Sequence, residues 1–354
     1  MKLDEFLESP FTDLPRKRVS KISLYKQLNQ MFREYAKTLA GLNSTDPVSK
    51  RAKKEVALIK NLSKQVLSTI KAYLDGFPNK AYNQLVKALE PVQPFLKNLE
   101  APRNDLDKLY RVRPVDTLVD RERREIFHVP FDLRHLVRSE RYSISGWPSL
   151  YLGASLLVCW EEVGRPTPHT LSVASFKAEG NVSVLDFGYR PSVLIELHKE
   201  GFFTEDQMVS YLICWPLLAA CAIRAEHPGS SFIAEYVIPQ LLLQWLRSGS
   251  ASVDGLRYFS TRVQQSGNAP RLAINYVFPV KTQTDKGHCS ELSRKFKLTL
   301  PVPWILLDGI ELKAMSGLLQ REEYALNSEM RLSYDDTVFK KLEERMLTLK
   351  KDFL

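Results

Sequence analysis

The run Arg141 to Glu162, RYSISGWPSLYLGASLLVCWEE, gathers more reactive side chains than a packing element needs. It holds a guanidinium (Arg141), two phenols (Tyr142, Tyr151), four serine hydroxyls (Ser143 and Ser155 among them) and the adjacent carboxylates Glu161 and Glu162. A planar guanidinium grips phosphate or ribose oxygens bidentately, where a lysine acts only as a point charge. A tyrosine ring can stack on a cation, and a placed carboxylate stabilises positive charge as it develops. Glu162 is the preferred carboxylate. Glu161 is the rival by adjacency, but it projects about 100° away on a helix. A negative charge near a helix C-terminus is mildly unfavourable, so a glutamate there calls for a reason.

The elements that would position these groups can be read from pattern. Tyr142–Ser145 is expected to be extended, Gly146-Trp147-Pro148 a turn, and Ser149–Leu152 a short buried strand. Ala154–Val163 is expected to be a helix of about three turns. On it Ser155, Cys159 and Glu162 would share a face, with Leu156, Trp160 and Val163 one step round on the packing face. On a regular strand Tyr142 would point away from its neighbour Arg141.

Upstream, helices are expected over Ile22–Leu42, from Ser44-Thr45-Asp46-Pro47 to Asp75-Gly76, and over Asn79–Leu96 with disturbance at Pro91 and Pro94. Leu109–Arg113 alternates like a strand that Pro114 ends, and Val115–Glu125 reads as a charged loop with a helical turn. Downstream, Thr170–Lys177, Val182–Asp186, Gly255–Ser260 and Arg271–Val280 read as strands. Pro191–Glu200, a Thr204-capped apolar segment, Phe232–Arg247, Gly309–Leu326 and Asp335–Phe353 read as helices. Strands and helices without a regular βαβ repeat predict an α+β fold. Neither GxGxxG nor GxxxxGK[ST] occurs, so no Rossmann dinucleotide site or P-loop is indicated.

The central run resembles the RES domain family: an Arg-aromatic-Ser/Asn unit, Gly-x-Pro, Leu-Tyr-Leu, a small residue with Ser, then Glu. Ile126–Phe131 and Tyr236–Gln240 (YVIPQ) are similar to further family segments, and the likeness spans roughly Lys108 to Pro279. It implies an ADP-ribosyltransferase-like fold of mainly antiparallel sheets with surrounding helices, and NAD as substrate. Described members are toxins that destroy NAD or modify proteins with ADP-ribose.

By that likeness, Arg111 and Arg141 would hold phosphates or ribose, and Tyr151 would stack on nicotinamide. Glu162 would serve the ribose, and Ser260 would hydrogen-bond nicotinamide or ribose. Tyr142, Ser143 and Ser155 would complete the binding site. The expected activity is cleavage of the nicotinamide–ribose bond, with water or inorganic phosphate as acceptor, in a growth-arresting or abortive-infection toxin. Two alternatives stay open: a mono-ADP-ribosyltransferase acting on a macromolecule, and a non-catalytic binding module on the same fold. Ser143 stands where the family often has Asn.

With 354 residues, 44% of them hydrophobic and 26% charged, the chain has room for several domains. The expected division is a basic helical domain (1–102), an NAD-binding catalytic domain (103–300) and a C-terminal helical extension (301–354). Of the net +9, residues 1–102 hold nearly all: 18 Lys and Arg against 10 Asp and Glu, with 32 against 31 in the remainder. The line Lys53, Lys60, Lys64, Lys71 is read as a solvated face or as a docking surface for an acidic partner, such as a neutralising or sensor protein. Aromatic residues do not interleave with these lysines, so no nucleic-acid partner is expected. Self-association is left open. Four cysteines without a CxxC pair predict neither a metal site nor a resident cofactor, and fit a reducing cytoplasm. The acidic start at Asp4-Glu5 argues against a secretory signal, and Met208–Ile223, interrupted by Pro216, is too short for a membrane span.

Overall fold

The computed structural model describes residues 1–43, 45–114, 122–249, 253–263, 270–308 and 334–354. The fold is α+β, and the chain packs as two compact units built from interleaved segments. One unit comprises Met1–Glu100, Arg138–Ser145 and Leu185–Val253, and the other Ala101–Val137, Gly146–Val184 and Asp254–Leu354. The later segments Arg138–Ser145 and Leu185–Val253 return to pack with the N-terminal helices.

The first unit is helical: α1 (Leu24–Ala40), α2 (Pro47–Lys54), α3 (Val56–Leu74) and α4 (Pro78–Leu89), joined by the later helices Glu205–Cys221 and Val237–Arg247. The Asp46 side chain caps α2 by accepting from Ser49 N, with Pro47 in its first turn. The single helix expected from Pro47 to Asp75 is instead two, because Glu55 leaves helical geometry (φ −94°, ψ 9°). Thr204 and Gln207 form a reciprocal capping box at the start of Glu205–Cys221. That helix is apolar all round because it is the buried centre of its unit. Trp215 stacks on Tyr35 with ring centroids 4.0 Å apart, and the Tyr35 hydroxyl donates to Leu212 O at 2.7 Å. Among the described residues no helix is long and apolar enough to cross a membrane.

The second unit is built on strands β1 (Leu109–Pro114), β2 (Ser149–Gly153), β3 (Leu171–Ala178), β4 (Gly255–Phe259), β5 (Ile274–Pro279), β6 (Phe296–Leu298) and β7 (Val302–Pro303). They run in the spatial order β4-β5-β2-β1-β3-β6, with β7 also beside β3. The pairings β1–β2, β1–β3, β2–β5, β3–β6, β3–β7 and β4–β5 are all antiparallel. A further strand, Val184–Phe187, lies where the chain passes from this unit to the helical one. Two expectations are corrected. Tyr142 and Ser145 lie in turns, with Ser143-Ile144 between them in no regular element, and the central helix begins at Leu156, not Ala154. Of the expected loop with a helical turn at 115–125, residues 115–121 fall outside the described residues and a helical turn forms at Arg123–Ile126. The expected helix at 309–326 also falls outside them.

Candidate functional site

The helix Leu156–Glu162 follows β2 after a turn at Ala154-Ser155. Ser155 is its N-cap, with extended geometry (φ −144°, ψ 158°), so it does not share a helical face with Cys159 and Glu162 as the pattern suggested. Its hydroxyl accepts from Val158 N at 3.1 Å and donates to Leu272 O at 2.7 Å. A second group caps the same helix end. Glu343, from the helix Val338–Thr348, accepts from Leu156 N at 2.8 Å and from the Tyr334 hydroxyl at 2.6 Å. Burial raises the Glu343 carboxyl above the usual carboxylate range. Gly153, at the end of β2, lets the helix lie against the strand: a Cβ there would stand 2.5 Å from Cys159 Sγ and 2.6 Å from Val158 Cγ1.

The apolar side of the helix shares one core with both ends of the unit. Leu156, Leu157, Val158 and Cys159 cluster with Tyr110 and Val112 of β1 and with Trp304, Phe339, Leu342 and Met346. The C-terminal segment is therefore part of the packing that holds the site helix. Cys159 is buried and donates to Tyr110 O. Burial pushes its thiol up to about 12, so it stays protonated at neutral pH and is no rival nucleophile.

At the helix end the two neighbouring glutamates separate. Glu161 is buried and pairs with Arg165 Nε at 2.8 Å, one turn further along the chain. Glu162 turns toward β4 and β5. Its Oε1 accepts from the Ser260 hydroxyl and from Asn275 Nδ2, each at 2.7 Å, and its Oε2 lies 3.2 Å from Arg262 Nε. Ser260 is wholly buried, and its oxygen also accepts from Arg262 N and Val263 N at 3.2 Å. Its donor is therefore committed to the carboxylate while its lone pairs meet the turn that follows β4. One carboxylate oxygen is held from the buried side, and the other faces the half-exposed Arg262.

Tyr151 stands on β2 opposite Val277 of β5, two residues before Gly153, which faces Asn275. Strand alternation puts it on the same sheet face as Asn275. Arg111 alternates with Tyr110 and Val112, leaves β1 on the other face, and donates from Nη1 to Tyr151 O at 2.7 Å. Its Nε is buried without a hydrogen-bond partner, and burial lowers the guanidinium to about 9. Such a group is costly unless it meets an anion or another acceptor.

Three expected site residues belong to the helical unit. Arg141 donates to Cys221 O at 2.9 Å and Ile223 O at 2.8 Å, and lies over the Tyr236 ring at 4.9 Å. It thereby satisfies carbonyls at the end of the Glu205–Cys221 helix. Tyr142 is buried and hydrogen-bonds the Cys221 side chain, and Ser143 donates to Arg138 O at 2.9 Å. The structure thus brings Glu162 and Ser260 into direct contact, sets Tyr151 on the same sheet face as Asn275, and gives Arg141, Tyr142 and Ser143 partners within the other unit.

Sequence reasoning missed Asn275, Arg262 and Glu343. Asn275 had a signal, since it is the lone amide in the otherwise apolar strand INYVFP. Arg262 and Glu343 had none, because one follows a turn and the other sits on an amphipathic helix where glutamate is ordinary.

No family model matches the chain, and no solved structure matches it. A curated relative from Bacillus subtilis (strain 168), named "Putative toxin YopC", is 33% identical over 307 residues, covering 82% of this chain and 68% of that protein. The chain belongs to the family of that Bacillus protein.

Proposed function

We propose that the chain is a toxin that consumes NAD by breaking its nicotinamide–ribose bond, with Glu162 as the central carboxylate. The observation that carries this reading is the 2.7 Å hydrogen bond from Ser260 to Glu162, two residues 98 positions apart that the RES resemblance assigns to one NAD site. The relative's printed name supports the toxin part of the reading.

The chemistry suits the geometry. As the glycosidic bond opens, positive charge passes from nicotinamide to the ribose in an oxocarbenium-like state. A carboxylate fixed before the reaction stabilises that charge without reorganising during it. Ser260 and Asn275 donate to the same oxygen, which orients Glu162 and leaves Oε2 as the oxygen that can turn to the sugar. Arg262 neutralises that oxygen in the free protein and is placed to exchange it for a substrate anion. Tyr151 supplies an aromatic ring on the sheet face that carries Asn275.

Inducible expression in a bacterial host tests the reading. Cellular NAD should fall before growth stops, and cells making Glu162→Gln should keep both. Growth arrest at unchanged NAD would remove the proposal. With purified protein, the product mass in the presence and absence of inorganic phosphate identifies the acceptor.

A further inference from the structure

The lysine line of the N-terminal helices divides once its partners are known. Lys53 donates to Leu42 O and Lys71 pairs with Asp75, but Lys60 and Lys64 pair with no carboxylate among the described residues. These two border a groove of about 700 Å³ between α1 and α3. Arg33 and Lys37 border it from α1, and they too lack a carboxylate partner among the described residues. The groove also has an apolar lining: Tyr25 and Ala40 are exposed along it, and the buried Phe32, Ala36 and Leu67 form its floor.

We infer that this groove receives an acidic amphipathic helix from a partner protein. The two cation pairs are each spaced i, i+4, about 6 Å along their helices. A helix with apolar residues at i, i+3 or i+4, and i+7 would enter the lining, which is the helix-in-groove mode of recognition. Glutamates or aspartates on both shoulders of its apolar stripe would meet Arg33 and Lys37 on one side and Lys60 and Lys64 on the other. The four cations select an acidic occupant, and the apolar lining selects a side-chain-bearing one. A nucleic-acid backbone would reach the cations and leave the exposed Tyr25 and Ala40 uncovered. This inference stands apart from the NAD reading.

The test uses the full chain and a fluorescein-labelled synthetic 18-residue helix with leucines on one face and glutamates on both shoulders. Anisotropy should show saturable binding that weakens as salt rises. Lys60→Glu/Lys64→Glu, both exposed positions, should weaken it at least tenfold with an unchanged melting curve. A twin peptide with lysines in place of the glutamates should not bind. Absent binding, equal binding of the two peptides, no effect of the charge reversal, or tighter binding of an oligonucleotide would each overturn the inference.

Discussion

Ser260→Ala removes one oxygen that serves three partners, and the structure lets its cost be worked out. The substitution leaves the Cβ in place and opens almost no space, so hydrogen bonding dominates over cavity formation. The lost bond to Glu162 is charge-assisted and 2.7 Å long, which puts it at about 1.5–3 kcal/mol. The amides of Arg262 and Val263 lose an acceptor at 3.2 Å, and Val263 is buried, adding about 1 kcal/mol. The expected total is about 3 kcal/mol in urea denaturation. A double-mutant cycle isolates the part that belongs to Glu162. With Glu162→Gln as the second substitution, the Ser260–Glu162 coupling should be about 1–2 kcal/mol, since the two groups touch. NAD turnover should fall with Ser260→Ala even at temperatures where the variant is fully folded, because Asn275 alone then orients the carboxylate. Additivity within about 0.3 kcal/mol would refute the reasoning, since independent sites behave that way.

Glu161→Gln should lower stability by less than about 1 kcal/mol and leave NAD turnover near wild type, because Glu161 serves the partly exposed Arg165. Asn275→Leu removes the second donor to Glu162 Oε1 and should lower kcat for NAD cleavage about tenfold while KM changes little; a change confined to KM would count against an orienting role. His128 gives a pH prediction. It accepts from Cys289 N at 2.9 Å, and burial lowers it to about 3. The unfolded chain then binds a proton that the folded chain refuses from about pH 6.5 down to about 3. Stability should therefore decline as pH falls through that window, by up to about 1.4 kcal/mol per pH unit. His128→Gln should flatten the acid limb of a denaturation series, and an unchanged slope would contradict the assignment.

Much of the fold was legible because it is written locally. Asp46-Pro47 and Thr204 are start signals whose partners lie three residues away, and both helices begin there. The α+β class followed from the mixture of strands and helices. The contact between Glu162 and Ser260 was reachable only through family likeness, since 98 residues separate them and a serine after a strand is ordinarily a turn residue. Arg141 shows where local reading fails. Its neighbours in sequence point to the site motif, but its guanidinium is needed by carbonyls 80 and 82 residues away at the end of a helix in the other unit. Ser155 shows a second kind of failure. The i, i+4 spacing to Cys159 holds in sequence, yet the hydroxyl serves better as a cap than as a helical residue. Nothing local could have shown that Glu343 holds the first amide of the site helix.

The most direct test of the central claim is nicotinamide release from NAD by the purified chain, measured beside Glu162→Gln. Wild-type protein should release nicotinamide, and Glu162→Gln should lose at least about a hundredfold in rate while keeping a cooperative melting transition. Release by the variant at the wild-type rate, or none by the wild type, would contradict the account.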